Sequence, residues 1–196
     1  MARSRYHDVS DPGSIALLAS PARQDIVDTL VALGGEADVA AVARELGRPA
    51  DGLYYHFERL ADAGLLQRRD KTGEPRRYRV GARRGTALRL VYGKRAESSE
   101  AVQQVVAKLL QSAGRDFRAA LANPKVRTEG EARELWAGRA RGWLDEDGLR
   151  EANALLGRLL ELLQGPRQPG QDKLFSLSFV LAPKPGKPAR RTRTGD

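Results

Sequence analysis

Residues 38–81 carry two short helical patterns set three residues apart, followed at once by a basic stretch whose hydrophobic period drops from about 3.6 to about 2. No other feature narrows the fold so far. Asp38 is a natural N-cap for a helix whose inward positions are Val39, Val42, Ala43 and Leu46, and Gly47 ends it. Gly47-Arg48-Pro49 separates this helix from the next, roughly Ala50 to Ala63. Its inward residues Leu53, Phe57 and Leu60 fall at i, i+4 and i+7 before Gly64 closes it. Two helices joined by so short a glycine-containing turn read as a helix-turn-helix. Beyond Gly64, Leu65–Arg69 and Arg77–Val80 read as strands around the polar turn Asp70-Lys71-Thr72-Gly73-Glu74-Pro75.

A helix-turn-helix followed by a basic hairpin makes a winged helix, and the upstream segment completes it. Asp11-Pro12 precedes Ile15-Ala16-Leu17-Leu18, and Ser20-Pro21 precedes Ile26, Val27, Leu30 and Leu33; each pair reads as a cap with proline at the first helical position. Residues 1–11 are expected to be a flexible basic arm and residues 12–95 the winged-helix domain. Residues 82–95 are basic and ambiguous, with a further strand through Leu88, Leu90 and Tyr92 as one reading. The formal net charge of +9 is focused rather than spread: residues 1–64 hold 6 Lys+Arg against 10 Asp+Glu, and residues 65–95 hold 11 against 2. A basic run is often no more than a solvated face. Its position directly after a helix-turn-helix points to a polyanionic partner.

The second half opens with a long helix, roughly Ser98 to Leu121, striped by Val102, Val106, Leu109, Ala113 and Ala120 and widened by Val105, Leu110 and Phe117; Asn123-Pro124 ends it. Residues Glu134 to Leu144 read as a strand or as a helix stacking Trp136 near Trp143, and Gly138 and Gly142 favour the strand. A leucine-rich helix, Leu149 to Gln164, follows, and then a strand from Lys173 to Ala182 by its alternation. The fold class expected is mainly α with small β (α+β): a winged helix-turn-helix, a long dimerisation helix, and a small helix-plus-strands region within residues 96–182. Residues 183–196 read as a disordered basic tail.

Cysteine is absent, which excludes disulfides and thiolate chemistry, and no apolar run approaches the ~18 residues of a membrane span. The first residues lack the apolar stretch of a secretory signal, so a cytoplasmic protein is expected, with no membrane partner. Neither a nucleophile elbow, a P-loop nor a zinc-binding HExxH pattern occurs, and the two histidines, His7 and His56, fall in the arm and the second helix of the pair. No enzyme, cofactor or metal site is expected; Asp145-Glu146-Asp147 reads as an acidic first turn answering a helix dipole.

Ser20-Pro21-Ala22-Arg23, Val39 to Leu46, Leu53-Tyr54-Tyr55-His56-Phe57-Glu58-Arg59-Leu60, Ala63-Gly64-Leu65-Leu66 and Arg76-Arg77-Tyr78 together resemble the ArsR-type winged helix-turn-helix transcriptional regulators. The resemblance covers residues 12–81. Residues 130–182 look more loosely like the C-terminal part of long members. The tyrosine-tyrosine-histidine helix is similar to the branch without metal sites, and Ala40-Ala41-Val42-Ala43 stands where metal-sensing members carry a cysteine motif. Such a resemblance implies a homodimer on a palindromic operator, often a repressor.

The chemistry of DNA recognition fits those residues. With Leu53, Phe57 and Leu60 inward, the outward set includes Asp51, Gly52, Tyr54, Tyr55, His56 and Arg59. Gly52 leaves room for close backbone approach, and the tyrosines can donate hydroxyls to phosphates or bases and stack on thymine methyls. His56 reads equally as a backbone contact or a packed support, and Arg59 as a phosphate or guanine contact or a partner of Asp51 or Asp62. The acidic residues on this helix repel phosphate, so the hairpin must supply attraction through Arg68, Arg69, Lys71, Arg76 and Arg77, with Arg48 at the turn a weaker candidate. Arg23 reads as an ion pair or a weak DNA contact. Double-stranded DNA and a second copy of the chain are the expected partners, the copies meeting through Ile15, Leu18, Val102, Val106, Leu109, Ala113 and Phe117. Trp136, Trp143, Leu156, Leu160 and Phe175 are candidates either for a pocket holding a small apolar effector or for an extended dimer core. A protein-binding winged helix and an RNA-binding basic tail are the alternatives.

Overall fold

A carboxylate and a proline start the first helix: Asp11 accepts a hydrogen bond of 2.7 Å from the Ser14 amide at the head of α1 (Pro12–Leu17). The structure is a computed structural model that describes residues 6–81, 87–91, 96–165 and 167–184. Helix α2 (Pro21–Ala32) buries Ile26, Val27, Thr29 and Leu30. The chain then turns through Gly34 and Gly35, both at positive φ, into a three-residue strand, β2 (Glu36–Asp38). Asp38 accepts from the Ala41 amide at 2.7 Å and begins α3 (Val39–Leu46). At Gly47 the backbone is left-handed (φ 61), a conformation a side chain disfavours, so the chain leaves α3 there and re-enters a helix at α4 (Asp51–Asp62). Strands β3 (Leu66–Arg69) and β4 (Arg77–Val80) form the hairpin.

The three-stranded sheet runs β2-β4-β3, antiparallel throughout, with Arg68 opposite Tyr78 and Glu36 opposite Arg79. Its inner face closes the core: Tyr78 and Val80 are buried with Ile15, Ile26, Leu30, Val42, Phe57 and Leu60. The Phe57 and Tyr78 rings lie 4.7 Å apart, a tilted pair that ties α4 to the return strand. Strand β2 escapes the sequence reading because three residues are too few to display a period of 2.

One further element departs from expectation, and its partner is the strand read through Leu88 and Leu90. Tyr6–Val9, placed in a flexible arm, is a strand (β1) paired in parallel with β5 (Ala87–Leu90), and Asp8 and Arg89 are joined by two bonds of 2.8 Å. The partner lies 81 residues away, so no local pattern could announce it. Tyr92 and residues 1–5 lie outside the described residues, as does the tail beyond residue 184.

Helix α5 (Ala96–Leu121) has 26 residues, about 39 Å of rise. Its first turns pack on α1 and α2 through buried Ala101 and Val105, and Gln24 Nε2 donates to the Val105 carbonyl at 3.3 Å. Ile15 and Leu18, expected at a dimer contact, are therefore consumed inside the chain at 0% and 6% exposure. Helix α6 (Glu146–Leu163) starts on the Asp145 cap, as its acidic first turn implies, but buries no residue. The strands expected at 134–144 and 173–182 do not form: among the described residues, both segments lack ladder partners. The fold is thus helix-rich α+β with an N-terminal helix-turn-helix and small sheet.

Candidate nucleic-acid interface

Helix α4 sorts its side chains as 3.6 periodicity demands. Leu53, Phe57, Leu60 and Ala61 are buried, while Tyr54 and Tyr55 stand 50% and 65% exposed. Asp51, Gly52 and Arg59 are exposed on the same outer surface, and a Cβ built on Gly52 would meet nothing within 4 Å. No internal contact requires glycine there. His56 is half-buried, edge-on to the Tyr55 ring at 5.6 Å, and its buried Nδ1 has no hydrogen-bond partner among the described residues. Burial first, and then the Arg23 and Arg48 charges, hold its pKa below the ordinary histidine value. Arg23 points its Nε to the Leu17 carbonyl rather than to a carboxylate.

The acids of α4 have an assignment that sequence reasoning missed. Glu58 turns toward the hairpin: it accepts the Tyr78 hydroxyl and the Arg68 Nε (2.9 Å), and Arg76 Nη1 lies 3.4 Å from it. Arg68 also reaches Asp62, and Arg76 donates to Asp70 at 2.7 Å. The Tyr78 hydroxyl and then Arg68 hold the Glu58 carboxyl below its usual range, while burial and Glu58 push the Tyr78 hydroxyl up to about 12. The signal was available in part, since Glu58 shares the face of Phe57 and Ala61 that approaches the return strand. Its target, Tyr78, lay 20 residues on.

Strand alternation divides the hairpin cations between two faces. Arg68 and Tyr78 are register partners on the side of α4. Gln67 faces Arg79 and Arg69 faces Arg77 on the other side, where Arg69, Lys71, Arg77 and Arg79 with Glu36 and Asp70 line a cleft of about 430 Å³. Arg77 is tied to Glu36 at 3.2 Å, Lys71 pairs loosely with Glu74 at 3.7 Å, and Arg79 donates to Gln67 at 2.9 Å. Arg69 and Arg59 make no ion pair among the described residues. Directly opposed like charges such as Arg69 and Arg77 repel, and a polyanion relieves that repulsion. Arg79 was not among the residues anticipated. Arg48 is engaged by Asp25 at 2.8 Å.

The second half does not gather its expected residues. Trp143 is fully exposed, Trp136 is 68% exposed under the Arg133 guanidinium (3.8 Å to its ring), and Leu156 and Leu160 are half-buried on α6. Of that set Phe175 alone lines the groove of about 460 Å³ that does exist, between the end of α2 and residues 162–175. The groove holds Glu134, whose carboxylate takes Lys173 Nζ at 2.7 Å and the Arg127 amide at 3.0 Å; Lys173 chiefly draws its pKa down to about 2. On α5, Val102, Val106, Leu109, Ala113 and Phe117 are half-buried.

Residues 18–69, about a quarter of the chain, match the family of helix-turn-helix domains. The matched span runs from the end of α1 through the first hairpin strand. It supports a DNA-binding regulator in general, a class of domain that is typically non-enzymatic. The sequence matches no curated protein. Among the described residues, no helix is long and apolar enough to cross a membrane.

Proposed function

We propose that the chain is a sequence-specific, ArsR-like transcriptional regulator, acting as a repressor and binding a palindromic operator as a homodimer. The carrying observation is the pair of exposed tyrosines on α4 beside a hairpin whose cations exceed its acids. An α-helix fits the ~12 Å major groove, where Tyr54, Tyr55 and Arg59 meet base edges and Gly52 lets the backbone come close. Asp51 sits on the same surface and favours an exocyclic amine over a phosphate. The hairpin supplies the sequence-independent attraction. Arg69 and Lys71 are the first contacts; Arg68, Arg76, Arg77 and Arg48 must leave their carboxylates to reach phosphates. The exposed ion pairs of Arg68, Arg76 and Arg48 are worth about 0.2–1 kcal/mol each, so counterion release by a phosphate contact outweighs them; the part-buried Arg77–Glu36 pair is the hardest to open.

Two copies are needed because one winged helix covers only a few base pairs, while two half-sites about 34 Å apart add their free energies. The α5 stripe beyond Val105, with Leu110 and Leu121 exposed, supports a contact between copies. Residues 12–95 then form the DNA-binding unit and residues 96–182 the assembly unit.

The test is fluorescence anisotropy with a duplex selected from genomic fragments, a scrambled duplex and a structured RNA. The expected result is preference for the selected duplex with a steep salt slope. Tyr55→Ala should reduce discrimination between the duplexes. Arg69→Ala should weaken both and flatten the slope by about one unit. Equal affinity for the RNA, or salt-insensitive binding, would overturn the reading.

A further inference from the structure

Residues 174–181 read Leu-Phe-Ser-Leu-Ser-Phe-Val-Leu, and from Leu174 to Val180 the segment is a near-palindrome about Leu177: Ser176 mirrors Ser178, Phe175 mirrors Phe179, and Leu174 mirrors Val180. The alternation is that of a β-strand, yet among the described residues the segment has no ladder partner in its own chain. Its backbone donors and acceptors are open along an apolar stretch, an edge that a folded protein does not leave unmanaged. One face, Phe175, Leu177, Phe179 and Leu181, is 39–49% exposed, while Ser176 on the other face reaches Asp116 of α5 at 3.1 Å.

We infer that this segment pairs with the same segment of a second copy, antiparallel about a twofold axis at Leu177. The proposal rests on the two-copy reading above and adds where the copies meet. In that register every cross-strand pair from Leu174 to Val180 is like with like, Phe175 on Phe179, Ser176 on Ser178 and Leu174 on Val180, the pairings that stabilise a ladder. A closed twofold contact needs such a self-complementary patch. An unrelated partner has no reason to meet a mirrored pattern. A two-stranded ribbon alone is marginal in water, and the leucine stripe of α6, which buries nothing in one chain, supplies an apolar surface to cover it. The extent is adequate. Eleven large apolar side chains of α6 and residues 174–181 are 38–77% exposed, which at roughly 80–100 Å² apiece is on the order of 1,000 Å² per copy. Summed over both faces of the segment and the α6 stripe, that is comparable with the ~800 Å² per partner of a standard interface.

The chain has no cysteine, so a single introduced thiol reports one position. In the full-length protein, Leu177→Cys places two thiols across the axis, within the ~7 Å between Cα atoms that a disulfide allows. Leu174→Cys places them about 20 Å apart along the ribbon. Mild oxidation at low micromolar protein should crosslink Leu177→Cys at least tenfold faster than Leu174→Cys. In the unmodified chain, amide exchange at 174–181 should slow as sedimentation reports dimer. Equal crosslinking of the two variants, or a dimer whose 174–181 amides exchange freely, would overturn this pairing while leaving a dimer through α5 in place. A chain that stays monomeric from nanomolar to high micromolar would overturn both the pairing and the two-copy reading, with DNA binding judged separately by the anisotropy assay.

Discussion

Glu58 decides how much of the hairpin's charge is available. Replacing it by glutamine keeps the shape but removes the charge that engages Arg68 and Arg76, so Glu58→Gln should bind duplex DNA more tightly with a steeper salt slope. The weakened bonds to Tyr78 and Arg68 should lower folding stability by about 0.5–1.5 kcal/mol; anisotropy and urea denaturation measure the two effects. His56 offers a pH test. Its folded pKa lies below the unfolded value of 6.5, so as pH falls the unfolded chain takes up the proton first and stability drops below about pH 6.5. His56→Asn should show a smaller loss between pH 7 and pH 5.5 in denaturation midpoints.

At the scale of elements, α4 is a helix whose apolar face is satisfied and whose outer face is not optimised for stability. Gly52 lies in its first turn in open space, so Gly52→Ala should stabilise the fold by up to about 1 kcal/mol through helix propensity. The same methyl stands where DNA backbone or bases would approach, and operator affinity should fall. Opposite signs in thermal denaturation and anisotropy are the expected outcome; unchanged affinity would move the contact elsewhere on α4. The helix-turn-helix and hairpin were legible because their signals are local: caps at Asp11 and Asp38, left-handed Gly47, and Leu53, Phe57 and Leu60 at helical spacing. Strand β1 and the role of Glu58 were not, since each depends on a partner brought close only by folding, Arg89 for Asp8 and Tyr78 for Glu58.

Across the whole molecule the two halves differ in kind. Among the described residues, every buried apolar side chain lies between Val9 and Val105, and none lies from residue 122 onward. A chain that completes its second half only on association gains stability by mass action, so its Tm should rise with protein concentration between about 1 and 100 μM. Differential scanning calorimetry at three concentrations checks this, and a Tm independent of concentration would count against assembly.

The sequence by itself determined the helices, the turn between α3 and α4, the hairpin and the outward placement of Tyr54 and Tyr55. Periodicity, caps and glycine conformations act within a few residues and need no distant partner. Tertiary structure alone decided which cations are engaged, that Ile15 and Leu18 serve the chain's own core, and that the strand-like segments of the second half find no ladder within it. Ion pairing and strand pairing depend on distances between elements, and those distances are set by how the elements pack.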